Sequence, residues 1–133
     1  MTRPAGLLIA GGAVIAGTGA PPTPATDVYV EDDLIVALGA EARARATAGP
    51  GFDELDAAGL TVMPGLIDAH CHITFGEPAS NDELFFHRTQ SSAALLAAFN
   101  VQKLLLAGVT GFLDADCIHD IGPALRDAIE AGL

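Results

Sequence analysis

The sequence predicts an α/β protein, and three observations carry that expectation. Half of the residues are hydrophobic and only 17% are charged, the balance of a chain that builds a packed core. From Leu66 onward the segments alternate strand, helix, strand, helix, which implies parallel strands joined by helical crossovers. Before about residue 60 the pattern is instead a series of short Val-, Ile- and Leu-rich runs separated by turn residues, the mark of a small β layer. This shift in character sets the expected division: strands over 1–61 and two βα units over 62–133.

Taken in order, LLIA (7–10) and AVIA (13–16) read as two short strands flanking a turn at Gly11-Gly12. Arg3 followed by an apolar stretch and small residues has the outline of a secretory signal. The glycine pair interrupts that stretch, however, and the run is far below the ~20 residues that span a bilayer, so a soluble strand pair is expected. VYVEDDLIVALG (28–39) predicts a hairpin with Asp32-Asp33 at its exposed tip. ATAGPG (46–51) is a loop by composition. After Pro64-Gly65, LIDAHCHI (66–73) is a strand. A helix of roughly two dozen residues should follow, with gaps. Ser80 and Glu83 are spaced as a capping box that can start it. Ser91 to Ala107 supplies high helix propensity and a wide apolar face, and Gly108 suits its end. VTGFLD (109–114) is the second strand, ADCIHDIG a loop, and the last helix starts near Pro123 and stops at Gly132. There is no internal repeat.

Charge and cysteine content narrow the function classes. Six Lys and Arg against seventeen Asp and Glu leave a net charge of -11, with no local basic cluster, so neither nucleic acid nor an anionic membrane surface is an expected partner. Two cysteines make no disulfide framework, and a reduced cytoplasmic protein is the simplest reading.

The chemistry concentrates in VMPGLIDAHCHITFGEP (62–78), which spends two of the four histidines one residue apart. Side chains alternate along a strand, so His70 and His72 share a face while Cys71 points away. Their Cα atoms would lie ~6.6 Å apart, a span two imidazoles can close onto one ion at ~2.0–2.1 Å from each nitrogen. Imidazole pairs suit zinc or a similar divalent ion. The pair also stands at the C-terminal end of a strand in a βα unit, where parallel barrels collect their reactive groups. Asp68, two residues earlier on the same face, is placed to hydrogen-bond a ligand histidine or a metal-bound water. An H-x-H triplet alone is a weak signal, since most such pairs are surface or satisfied core. The flanking residues decide.

VMPGLIDAHCH resembles the entry motif of the metal-dependent amidohydrolase superfamily, a P-G-hydrophobic-hydrophobic-D-x-H-x-H segment that forms the first barrel strand. LLIAGGAVIAGTGAPP, DVYVEDDLIVALG and DAAGLTVMPGLIDAH are similar, in order, to that superfamily's N-terminal β-sandwich strands and the lead into its barrel. KLLLAGVTGFLD and LRDAIEAGL look like its second barrel strand and following helix. Within the superfamily the chain looks most like the imidazolonepropionase and prolidase-like branch. It carries FLDADCIHD where many such relatives have a V-R-D segment, so no substrate role for an arginine is transferred there.

The resemblance implies part of a β-sandwich followed by the first two βα units of a TIM (β/α)8 barrel, an incomplete barrel, since eight units take ~250 residues. It makes His70 and His72 ligands of the more buried metal, with zinc as the expected ion and one or two ions per site. The remaining ligands, typically a carboxylated lysine, two histidines and an aspartate that serves as base, would fall after Leu133. No catalytic residue is assigned within the chain. The implied activity is hydrolysis of carbon-nitrogen bonds of amide, cyclic amide, urea or carbamate type in a small-molecule substrate by a metal-activated water. This stretch, as the first third of such an enzyme, would be inactive alone and prone to associate through its uncovered strands. A homo-oligomer is compatible with this. Two alternatives stand beside it: a heterocycle deaminase of the same superfamily, and a catalytically silent relative that uses the fold for binding.

Other residues carry less. His87 in DELFFHRT is read as a surface helix position, with a place near the substrate entrance as the alternative. Phe85 and Phe86 fit core packing better than a pocket wall. Asp114, at the end of its strand, is placed for a pocket role. Cys117 and His119 are read as loop residues, and Cys71 as a small buried hydrophobe.

Overall fold

The computed structural model describes residues 6–133, so Arg3 lies outside the described part. It is a mixed α/β structure that divides into two compact units, Met1–Pro64 and Gly65–Leu133.

In the first unit, β1 (Gly6–Val14), β2 (Thr23–Glu31), β3 (Leu34–Leu38), β4 (Phe52–Asp56) and the short β5 (Thr61–Val62) share one sheet. The order is β3-β2-β1-β4, with β5 pairing the far end of β1. β1 and β2 are antiparallel, as are β2 and β3, whereas β4 and β5 run parallel to β1. The hairpin expected at Asp32-Asp33 is present, with both residues exposed and Asp32 at φ 52.

Two expectations need correction here. LLIA and the first half of AVIA lie on one continuous strand, which ends at Val14, and are not a pair around a turn. Its register shifts between Ile9 and Gly12, so the glycines absorb a bulge. Gly11 takes φ 73, and its N–H donates to the Asp27 carboxylate at 2.8 Å. Second, the unit is more than a β layer, because Ala40–Ala48 forms a helix, α1, that takes in the start of the supposed loop at 46–51. Alanine has the highest helix propensity, and Ala42 and Ala46, one turn apart, are fully buried with Leu8, Tyr29 and Ala37. Glu41 and Arg45 pair along its outer side at 3.1 Å. An alanine face carries little of the hydrophobic periodicity by which helices are recognised, which is why the composition of ATAGPG misled.

The second unit runs β6 (Leu66–Cys71), a π-helical turn at Glu83–His87, α2 (Gln90–Leu106), β7 (Val109–Asp114) and α3 (Ile121–Glu130). β6 and β7 are parallel, with Leu66 opposite Val109 and Cys71 opposite Asp114. The helices bury Ala93, Ala97 and Ile121 with Ile73, and Cys71, Phe112 and Leu125 pack around that cluster. The helix expected after β6 is split in two. Arg88 and Thr89 are extended, and the Thr89 hydroxyl accepts from the Ser92 N–H to start α2 afresh. Ser80 does cap the π-helical turn by accepting from the Glu83 N–H at 3.1 Å, while the Glu83 carboxylate accepts from the Ala79 N–H at 2.8 Å. α3 begins at Ile121, which leaves Pro123 in the first turn. Among the described residues, no helix is long and apolar enough to cross a membrane.

Candidate metal centre

Parallel pairing brings the C-terminal ends of β6 and β7 to the same side of the second unit. His70 is on β6 and His72 follows it directly. Their rings meet nearly at right angles, 82°, with Nε2 atoms 3.2 Å apart. A tetrahedral ion with zinc-nitrogen bonds of ~2.0–2.1 Å holds its ligand atoms about 3.3 Å apart, so the two nitrogens already stand at the separation of two zinc ligands. The donor chemistry and the spacing both fit the ion. Catalytic zinc uses three protein ligands plus an open position. Among the described residues, no group of three His, Cys, Asp or Glu is gathered to hold a metal, so the described residues offer two converging donors and not a complete site.

The segment that carries His72 is held at successive carbonyls. The Asn100 side chain, from the middle of α2, donates to the Ile73 carbonyl at 2.8 Å. Arg88, in the break between the two helical segments, donates to the carbonyls of Thr74 and Phe75 and pairs with Glu83. Thr74 is fully buried, and its hydroxyl accepts from the Ile118 N–H at 3.4 Å. Gly76 takes φ 52, and a Cβ there would strike Leu96. Phe75 stacks on the His72 ring, centroids 4.3 Å apart and planes 12° apart, and Phe85 meets Phe75 edge-on.

Asp68 does not reach an imidazole. Its carboxylate accepts from the backbone N–H of His70 at 3.1 Å, a local turn that satisfies the main chain of His70 and not its ring. Asp114 ends β7 opposite Cys71, with one carboxylate oxygen buried and unpartnered among the described residues. His87 pairs with Asp82 at 3.1 Å, and both side chains are about two-thirds exposed. Phe86 is also largely exposed, which contradicts a core role: the π-helical turn directs it outward. Burial raises the Cys71 thiol above its ordinary range, and the charges of Asp114 and Asp68 add to this. Cys117 is raised by burial and then by the neighbouring Asp114 carboxylate, while the Gly122 N–H, which donates to its sulfur at 3.1 Å, acts in the lowering direction.

Sequence reasoning passed over Phe75, Arg88 and Asn100. Asn100 was open to detection, since a short amide at the end of the apolar run AALLAAF must find a partner if its face of the helix packs. Arg88 and Phe75 left no such trace, because their partners are backbone carbonyls and a ring.

No family model matches the chain. An imidazolonepropionase from Mesorhizobium japonicum is 40% identical over 55 residues, 41% of this chain and 13% of that protein. The dihydropyrimidinase of Rattus norvegicus is 33% identical over 124 residues, 93% of this chain and 21% of that protein. Among solved structures, molinate hydrolase superposes with a TM-score of 0.80 at 26% identity, over 99% of this chain and 28% of its own. The chain thus spans between about an eighth and a little over a quarter of these relatives. With the P-G-L-I-D-A-H-C-H strand and its converging imidazoles, these similarities place the chain in the amidohydrolase superfamily.

Proposed function

We propose that the chain is the first part of a metal-dependent hydrolase of carbon-nitrogen bonds in small molecules, with His70 and His72 as two ligands of a divalent ion, zinc by preference. The observation that carries this reading is the 3.2 Å approach of the two Nε2 atoms at the end of a parallel strand. The relatives support the class, being hydrolases that act on carbon-nitrogen bonds. When bound, the ion supplies Lewis acidity toward a substrate carbonyl and toward water, which is the chemistry such hydrolysis needs.

The chain's own residues then have defined tasks. His70 and His72 each offer an Nε2 lone pair, which requires the proton of each neutral ring to sit on Nδ1. Asp68 holds the backbone of His70, and Arg88 and Asn100 hold the carbonyls that follow His72. The first unit is read as part of a β-sandwich, and β6 and β7 as the first two strands of a TIM barrel. The remaining strands, ligands and general base belong to chain beyond Leu133. On this reading the 133 residues alone hydrolyse nothing, and the complete enzyme works in the cytoplasm.

The test is His70→Ala and His72→Ala in the full-length enzyme. Each should lower bound metal and abolish turnover. Retained metal and turnover in both would overturn the assignment.

A further inference from the structure

We infer that Phe75 is the positioning residue for His72: its ring, stacked on the imidazole, sets the direction in which Nε2 points. This rests on the metal reading above and extends it to a residue that does not touch the ion.

Four observations converge on the stack. The Phe75 N–H donates to the His72 carbonyl at 3.2 Å, closing a turn that carries the ring of the fourth residue back over the first. The rings lie 4.3 Å apart and nearly parallel. Phe75 is itself fixed, by Arg88 at its carbonyl and by Phe85 against its edge. And the Nδ1 of His72 is buried with no hydrogen-bond partner among the described residues.

The last point makes the stack necessary. A ligating histidine is ordinarily oriented by a hydrogen bond from its second ring nitrogen, and loss of that bond costs metal affinity although no ligand is removed. Among the described residues His72 has no such partner. Its backbone and first side-chain torsion place the ring, but rotation about the second torsion would swing Nε2 away from His70. A flat aromatic surface in van der Waals contact resists that rotation, because any tilt drives an imidazole edge into the phenyl face. Stacking therefore fixes the plane of the His72 ring, a restraint that a hydrogen bond supplies elsewhere.

The experiment compares wild type with Phe75→Leu, Phe75→Tyr and His72→Ala in the full-length protein, titrating zinc against a chromophoric chelator. Phe75→Leu should weaken binding by roughly 10- to 100-fold. Phe75→Tyr, which keeps the flat ring, should bind as wild type does. Unchanged zinc affinity in Phe75→Leu overturns the positioning role. Unchanged affinity in His72→Ala overturns the metal reading instead, so the two failures are distinct.

A second readout needs no metal. In stripped protein labelled at histidine, the His72 ring protons should be shifted upfield by the phenyl ring current and return toward free-histidine positions in Phe75→Leu. Ordinary positions in the wild-type spectrum overturn the stack, even where the leucine variant does not fold.

Discussion

β1 and β6 each anchor a sheet, yet they are covered very differently. β1 alternates buried and half-buried residues along its whole length and has neighbours on both sides, β2 on one and β4 with β5 on the other. Among the described residues β6 has a single partner, β7, which leaves Ile67 78% exposed, with Leu113 of β7 61% exposed. The first unit closes its core around Leu8 and Tyr29 with a helix of small residues. The second packs one set of side chains under α2 and α3 and keeps other apolar residues uncovered. The difference is one of completeness: β1 has neighbours on both sides among the described residues, whereas β6, read above as the first strand of a barrel, meets only β7.

The sharpest way to break that contrast is a matched pair of truncations. Leu8→Ala, at a fully buried position, should cost about 2–5 kcal/mol. In the 133-residue chain by itself, Ile67→Ala should change stability by less than about 0.5 kcal/mol, as surface substitutions do. The only tyrosine, Tyr29, lies in the first core and there is no tryptophan, so urea unfolding followed by tyrosine fluorescence reports on that unit, with circular dichroism for the whole. Equal losses would erase the difference in covering.

A smaller effect should come from the bulge in β1. Asp27→Ala removes the acceptor of the Gly11 N–H and should cost about 1 kcal/mol by the same denaturation. The exposed pair with Arg43 adds little to that loss. No loss at all would mean that the glycines hold the bulge unaided.

The smallest expected change is kinetic. Burial and the nearby Asp114 carboxylate hold the Cys117 thiol above its ordinary range, so less of it is thiolate at pH 8 than in free cysteine. Alkylation by iodoacetamide should be slower than that of a free thiol and should keep accelerating as pH rises past the usual thiol range. A rate equal to free cysteine would show that the second unit shields this loop no better than its exposed strands.

Much of the scaffold was legible from short-range patterns. VTGFLD is β7 residue for residue, and the Asp32-Asp33 hairpin and the Gly108 stop follow from turn and capping chemistry. The misses share a cause. α1 was hidden because alanines bury a helix face without a hydrophobic stripe. The break at Arg88 and Thr89 was hidden because the pattern on either side is helical and the interruption is decided by where Arg88 finds carbonyls. At the site, the H-x-H spacing was readable, whereas the true partner of Asp68 was not, since alternation tells which face a side chain takes and not which atom it meets.

Sequence alone determined that two imidazoles would leave the chain within one residue of each other at the end of a strand, because strand alternation is a property of covalent geometry. Only the tertiary structure decided that their Nε2 atoms converge. That depends on ring rotation, and rotation is governed by contacts from elsewhere: Phe75 across a turn, Arg88 from the helical break, and Asn100 from 27 residues beyond the carbonyl it holds. A spacing rule can place two imidazoles side by side, but packing must aim them.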